Sequence, residues 1–227
     1  MDYDTEELRA AIEERHSVRK YTGEPIPADV SAQLKDFVAA CAEESGLVME
    51  LIEDDRDAFR GLMGRMVGFA GSPAYIAIAG PSDDPPMERA GYYGELAVLK
   101  AQSLGLNTCW AMICSHKRME STLPSGMKMI IGIAVGIGAD QGKPHKDKPV
   151  EKVCDPDDIR MWYMRGVQAA MKAPTAMNKQ AFRIDVDGDR VSVVNTGGRI
   201  NRIDAGIVRL HFELGAGKDK FEWADTI

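Results

Sequence analysis

"RHSVRKYTGEPIP", residues 15–27, sets Arg15, Ser17, Arg19 and Lys20 ahead of a turn punctuated by Gly and Pro, in a chain whose formal charge is −7. Positive charge this local in an acidic protein suits one small anion, whereas a general polyanion binder needs a broad basic surface to release counterions. Apolar residues recur at helical spacing before it, in "EELRAAIEERH" (6–16), and after it, in "PADVSAQLKDFVAACAEE" (27–44), which opens on a Pro suited to a first helical turn. If the first helix continues that far, Arg15 and Arg19, four apart, project from one side. Guanidinium groups bind a phosphomonoester bidentately and the Ser17 hydroxyl adds a short donor. Read from these residues alone, the cluster is either a phosphate site or a solvated helix end with Glu13 and Glu14 as neighbours.

Working outward, "PAYIAIAG" (73–80) and "MIIGIAVGIG" (129–138) are short, rich in Ile and Val or Ala, and bounded by Gly or Pro, as buried strands are. Between them "GYYGELAVLKAQSLG" (91–105) is apolar around most of its circumference, which predicts a helix in the middle of a domain. "FRIDVDGDRVSVVNTG" (182–197) alternates about Asp187-Gly188, a two-residue hairpin signal. The mixture of helices and strands is α+β. "DQGKPHKDKP" (140–149) is the best candidate junction, giving parts of 1–149 and 150–227.

The 227 residues suffice for one large domain or two small ones. The longest apolar run is about half the roughly 20 residues that a membrane helix needs, and the acidic start has no leader pattern. No membrane, no nucleic acid and a cytoplasmic setting are therefore expected. Cys41, Cys109, Cys114 and Cys154 lack C-x-x-C spacing and the four His are scattered, so no metal site is expected.

The chain also repeats itself. "PADVSAQLKDFVAAC" from Pro27 lies over "PDDIRMWYMRGVQAA" from Pro156, matching Asp29 with Asp158, Val30 with Ile159, Val38 with Val167 and Ala40 with Ala169. "VLKAQSLGLNTCWA" (98–111) lies over "VRLHFELGAGKDKFEWA" (208–224), sharing a Leu-Gly and a later Trp-Ala. Amphipathic helices align somewhere by chance, but two matches in one order point to a chain of two related halves. The halves differ where chemistry could sit. After its helix the second continues as "KAPTAMNKQAF" (172–182), and nothing like Arg-x-Ser-x-Arg precedes that helix; the first has the basic stretch and lacks the Pro-Thr loop.

These residues carry a resemblance to the flavin-dependent nitroreductase family. "RHSVRKYTGEPIP" resembles its N-terminal signature, and "APTAMNKQAF" its Pro-Ser-x-x-Asn loop leading to Gln-Pro-Trp, with Thr175 for Ser and Ala181-Phe182 for Pro-Trp. "SLGLNTCW" (103–110) is similar to its Gly-Leu-Gly-x-x-Trp turn, Asn107 standing at the second Gly as a residue that tolerates left-handed backbone. "GKPHKDKP" (142–149) is similar to its basic tail. The closest kind is a single chain holding two nitroreductase-like halves.

The resemblance implies a nitroreductase-like α+β fold in which the halves form an internal pseudo-dimer, monomeric, with the two distant stretches meeting at one flavin mononucleotide (FMN) per chain. It implies cofactor-binding roles for Arg15, His16, Ser17, Arg19, Ala111, Met112, Lys146, Lys148, Pro174, Thr175, Ala176 and Asn178. Ala111, Met112 and Ile113 fall where the family presents backbone N–H groups to the flavin. The implied reaction is ping-pong reduction of a small electron acceptor, such as a nitroaromatic or quinone, by NADH or NADPH. No catalytic side chain is expected, since the flavin carries the chemistry. The acceptor side would be lined by residues around 60–70. The alternatives are a flavin-binding protein or a degenerate scaffold, each without turnover.

Overall fold

The computed structural model describes residues 1–53, 55, 58–59, 68–71, 74–112, 122–199 and 201–227. They fold as two compact units interleaved in sequence, one of 1–3, 14–86 and 96–144, the other of 4–13, 87–95 and 145–227.

The first unit holds α2 (Ala28–Ser45), β1 (Val48–Ile52), β2 (Ala74–Pro81), β3 (Asn107–Ala111) and β4 (Met127–Gly136). α2 ends where Gly46 takes a left-handed conformation and donates its N–H to Ala42. The strands form one antiparallel sheet in the order β1-β2-β4-β3. Successive side chains of β2 point to opposite faces. Tyr75, Ala77 and Ala79 join Val18, Tyr21, Phe59, Phe69, Cys109, Ala111 and Ala134 in one core cluster. Strand β1 was hidden in the sequence by its short polar approach, "AEESG".

The second unit is built on α1 (Thr5–Glu14), α4 (Met161–Met171), α5 (Asn201–Ala216) and a small sheet of β5 (Phe182–Asp187), β6 (Arg190–Asn195) and β7 (Glu222–Trp223). Helix α3 (Met87–Ser103) gives Met87–Glu95 to this unit and continues into the other. α4 and α5 touch through small residues: a Cβ on Gly166 would lie 2.6 Å from the Phe212 ring, and one on Gly215 2.6 Å from the Arg165 carbonyl. Beside them Trp162, Tyr163, Phe212, Phe221 and Trp223 form an aromatic cluster, with Trp162 stacked on Phe221 at 5.9 Å.

Three expectations are corrected locally. The helix expected from Pro156 begins at Met161, because Asp155 accepts the N–H of Asp157 and Asp158 that of Arg160, turns that compete with helix. The hairpin turns on Gly188-Asp189, since Asp187 pairs with Arg190 and Gly188 takes a φ of 57°. Asn107 is not left-handed. It sits in β3 opposite Gly136, its side chain accepting the Gly138 N–H at 3.0 Å, while Gly105 makes the turn at φ 80°.

Two internal correspondences emerge. β2 is antiparallel to β4 and β4 to β3, so β2 and β3 run the same way; β6 and β7 pair directly and parallel. Removing β4 from the first order would leave the second. In addition, α3 and α5 cross through Gly91 and Gly206. A Cβ on Gly91 would meet the Ile203 O at 2.0 Å and the Ile207 N at 3.2 Å, and one on Gly206 the Glu88 O at 1.8 Å and the Tyr92 N at 2.8 Å. Each glycine thus faces the carbonyl three residues before its partner and the amide one after it. This sets Gly206 against Gly91, 115 positions apart, whereas the Leu-Gly match sets Leu214 against Leu104, 110 apart.

Among the described residues no helix is long and apolar enough to cross a membrane.

Candidate functional site

The basic stretch is not helical. α1 ends at Glu14, and the chain runs on extended beside the edge strand β3, with Ser17 bridging Thr108 and the Val18 N–H donating to the Thr108 carbonyl at 3.0 Å. Further along, Tyr21 N–H donates to Ala70 at 2.9 Å and Thr22 N–H to Ile137 at 2.9 Å. Arg15 lies buried just before this bridge and Arg19 exposed just after it. The expected helical continuation is corrected, because α1 stops at Glu14 and the basic residues follow it.

Their neighbour is Cys109. Burial pushes its thiol above the ordinary value, while the charges of Arg19 and Arg15 and a hydrogen bond from Ser17 act against that push. Arg15 is buried and Arg19 exposed. Val18 is core, and His16 approaches Gly142, where a Cβ would lie 2.8 Å from the His16 Cβ and 3.3 Å from Val18 Cγ2. Only glycine fits there, at a φ of 70°.

At the end of β3, Ala111 is buried opposite Gly132, and Met112 follows in a turn, half exposed. Ile113 and residues 60–67 of the expected acceptor side lie outside the described residues.

In the second unit the loop after α4 is held from several sides. Pro174 is buried, and Thr175 Oγ1 accepts the Gln180 N–H at 3.0 Å. The Ala176 N–H reaches both carboxylate oxygens of Asp204 at 3.1 Å, so this amide is committed within the protein. Asn178 Nδ2 donates to the Lys146 carbonyl at 2.8 Å. Met177, Asn178 and Gln180 have φ of 55°, 52° and 42°. Left-handed backbone at residues other than glycine costs on the order of 1–3 kcal/mol each and persists only where the surroundings over-determine it.

Lys146 meets this loop through its backbone, its side chain being exposed. Lys148, also exposed, turns its Nζ to the Gln180 carbonyl at 3.0 Å. Two residues escaped the sequence reading. Gln180, almost wholly buried, stood in the matched motif but was passed over. Asp204, 5% exposed, gave no local signal, because its partners Ala176 and Asn201 are set by the fold. Burial pushes the Asp204 carboxyl up, against the hydrogen bonds from Asn201 and Ala176 and the charge of Lys179.

Comparison with known proteins follows the same lines. A family model described as "Putative TM nitroreductase" matches residues 7–216. The chain belongs to this nitroreductase family. No curated protein matches it. Among solved structures, a nitroreductase from Thermotoga maritima is 20% identical, with a TM-score of 0.68 over 98% of this chain and 89% of its own. An FMN-dependent nitroreductase from Clostridium difficile is 19% identical, TM-score 0.51, over 65% of this chain and 98% of its own. A nitroreductase with bound FMN from Desulfitobacterium hafniense is 14% identical, TM-score 0.53, over 67% and 98%. This nitroreductase-family chain thus has the family's α+β fold.

Proposed function

We propose that this chain is an FMN-dependent oxidoreductase that uses NADH or NADPH to reduce a small electrophile, such as a nitroaromatic or quinone, in a ping-pong cycle. The observation that carries the reading is that Arg15, Ser17 and Arg19 stand in one short non-helical segment laid beside the edge strand β3, where Ser17 bridges Thr108 and Val18 N–H donates to the Thr108 carbonyl. Two guanidinium groups and a hydroxyl are a donor set that fits a phosphomonoester.

In this reading Arg15, Ser17 and Arg19 hold the phosphate, with His16 fixing the segment against Gly142. The loop of Pro174, Thr175, Ala176 and Asn178 offers a rigid surface to the ring. Ala111 and Met112 present backbone at the end of β3. Lys146 contributes an exposed ammonium, and Lys148 supports the loop through the Gln180 carbonyl. When bound, FMN supplies hydride acceptance and electron transfer. The protein binds and orients, and no side chain is assigned an acid or base role.

The finer architecture is proposed as an internal pseudo-dimer, monomeric in solution, with one flavin per chain. Support comes from the reciprocal Gly91 and Gly206 contacts and from the shared strand directions of the two sheets. The basic stretch and the Pro-Thr loop each occur once, so the pair of sites expected of a homodimer reduces to one.

The test is titration with FMN followed by anaerobic addition of NADH or NADPH. Stoichiometric binding with rapid bleaching is expected. Binding without bleaching would leave a flavin-binding protein without turnover, and no binding would overturn the reading.

A further inference from the structure

The loop from Thr175 to Gln180 holds left-handed backbone at Met177, Asn178 and Gln180, and it presents Met177 with 89% of its surface exposed. Something must hold so exposed a loop in so unfavourable a shape. The Gln180 side chain, 1% exposed, makes three hydrogen bonds from its amide. Its Oε1 accepts the Lys148 N–H at 2.7 Å, and its Nε2 donates to the Lys146 carbonyl at 3.0 Å and to Asn178 Oδ1 at 3.1 Å. Its backbone adds two more, giving its N–H to Thr175 Oγ1 and taking Lys148 Nζ on its carbonyl.

We propose that Gln180 is the positioning residue that sets this loop in its ligand-ready shape, acting through Asn178 and Thr175. The proposal rests on the FMN reading of the site. Because Gln180 donates to Asn178 Oδ1, the Asn178 amide must turn its Nδ2 toward the Lys146 carbonyl, where it lies at 2.8 Å. An amide nitrogen carries two hydrogens and this contact uses one, so the exposed Asn178, held at both ends of its amide, offers a donor of fixed orientation. A donor fixed in advance saves the ordering entropy a mobile loop would lose on binding. It suits the carbonyl oxygens and ring nitrogens of a flat heterocycle.

Only a neutral amide fills the position of Gln180. Two acceptors, the Lys146 carbonyl and Asn178 Oδ1, face its nitrogen, and one donor, the Lys148 N–H, faces its oxygen. A carboxylate would set negative charge against both acceptors, and a thioether of similar size would make none of the three bonds.

The experiment compares wild type, Gln180→Met and Gln180→Glu, measuring FMN affinity and amide hydrogen exchange of residues 174–178 in the flavin-free protein. Gln180→Met is expected to unfold cooperatively, exchange faster in the loop and bind FMN about tenfold more weakly, the scale of one lost buried hydrogen bond. Gln180→Glu is expected to be impaired near pH 8 and to recover toward wild type near pH 5, where the protonated acid regains one donor. His145, Lys146, Asp147, Lys148, Lys179 and Asp204, titratable groups of the segments and helix packed against this loop, are common to both proteins, so comparison at each pH cancels them. Wild type that binds FMN while both variants match it in affinity and loop exchange overturns the proposal. So does unfolding of both variants, which marks a purely structural role. Wild type that fails to bind FMN overturns the cofactor reading, and the loop exchange still decides whether Gln180 sets the loop.

Discussion

His211 Nε2 lies 2.9 Å from Glu95 Oε1, with both side chains fully shielded from solvent. The other ring nitrogen, Nδ1, is 3.1 Å from the Ala169 carbonyl, which can only accept. That contact orients the ring, and the Glu95 carboxyl meets its other nitrogen. Glu95→Ala leaves a buried polar ring without its partner and should destabilise the chain by about 3–5 kcal/mol, the scale for breaking a buried pair. Urea unfolding measures it; a loss below about 1 kcal/mol would mean that the pair is not sealed.

The crossing of α3 and α5 makes a second prediction. With backbone 2.0 Å and 1.8 Å from the built Cβ positions, Gly91→Ala and Gly206→Ala must each push the helices apart. Each should cost about 1–3 kcal/mol or more. The double substitution should cost less than their sum, because one displacement relieves both clashes. Additive losses would argue against a shared crossing.

Asp204 gives a pH dependence of definite sign. Its folded carboxyl is raised above the ordinary 3.8, so the folded chain holds that proton more tightly than the unfolded chain. Its contribution to stability therefore grows as pH falls through the raised folded value and is complete below the ordinary one. Between about pH 7 and pH 4, wild type should gain stability relative to Asp204→Asn. Wild type losing stability relative to Asp204→Asn on acidification would reverse the assignment.

If the halves already bury a dimer-like surface, the chain of 24.9 kDa should sediment as a monomer with FMN bound. An obligate dimer would contradict the pseudo-dimer proposal.

Elements whose signal is local were legible. The runs at 73–80 and 129–138 became β2 and β4, and the hairpin was misplaced by one residue because Asp-Gly marks a turn without saying which residue closes the last pair. Arg15 and Arg19 were grouped by a helical spacing, but both follow the end of α1. What ends α1 at Glu14 is pairing with β3, about 90 residues away, which no local pattern records. The bonds of Asp204 to Ala176 and of Gln180 to Lys146 and Lys148 were invisible for the same reason, these partners lying 28 to 34 residues off.

The most direct test of the central claim is a paired titration of wild type and Arg19→Ala with FMN and with riboflavin. Arg19 is exposed, so its truncation should leave the fold intact, whereas Arg15 is buried. The account predicts one FMN per chain, a loss of about 1.5–3 kcal/mol in FMN affinity for Arg19→Ala, the worth of a charged hydrogen bond, and little change for riboflavin. Equal losses for the two ligands, or no FMN binding by wild type, would contradict it.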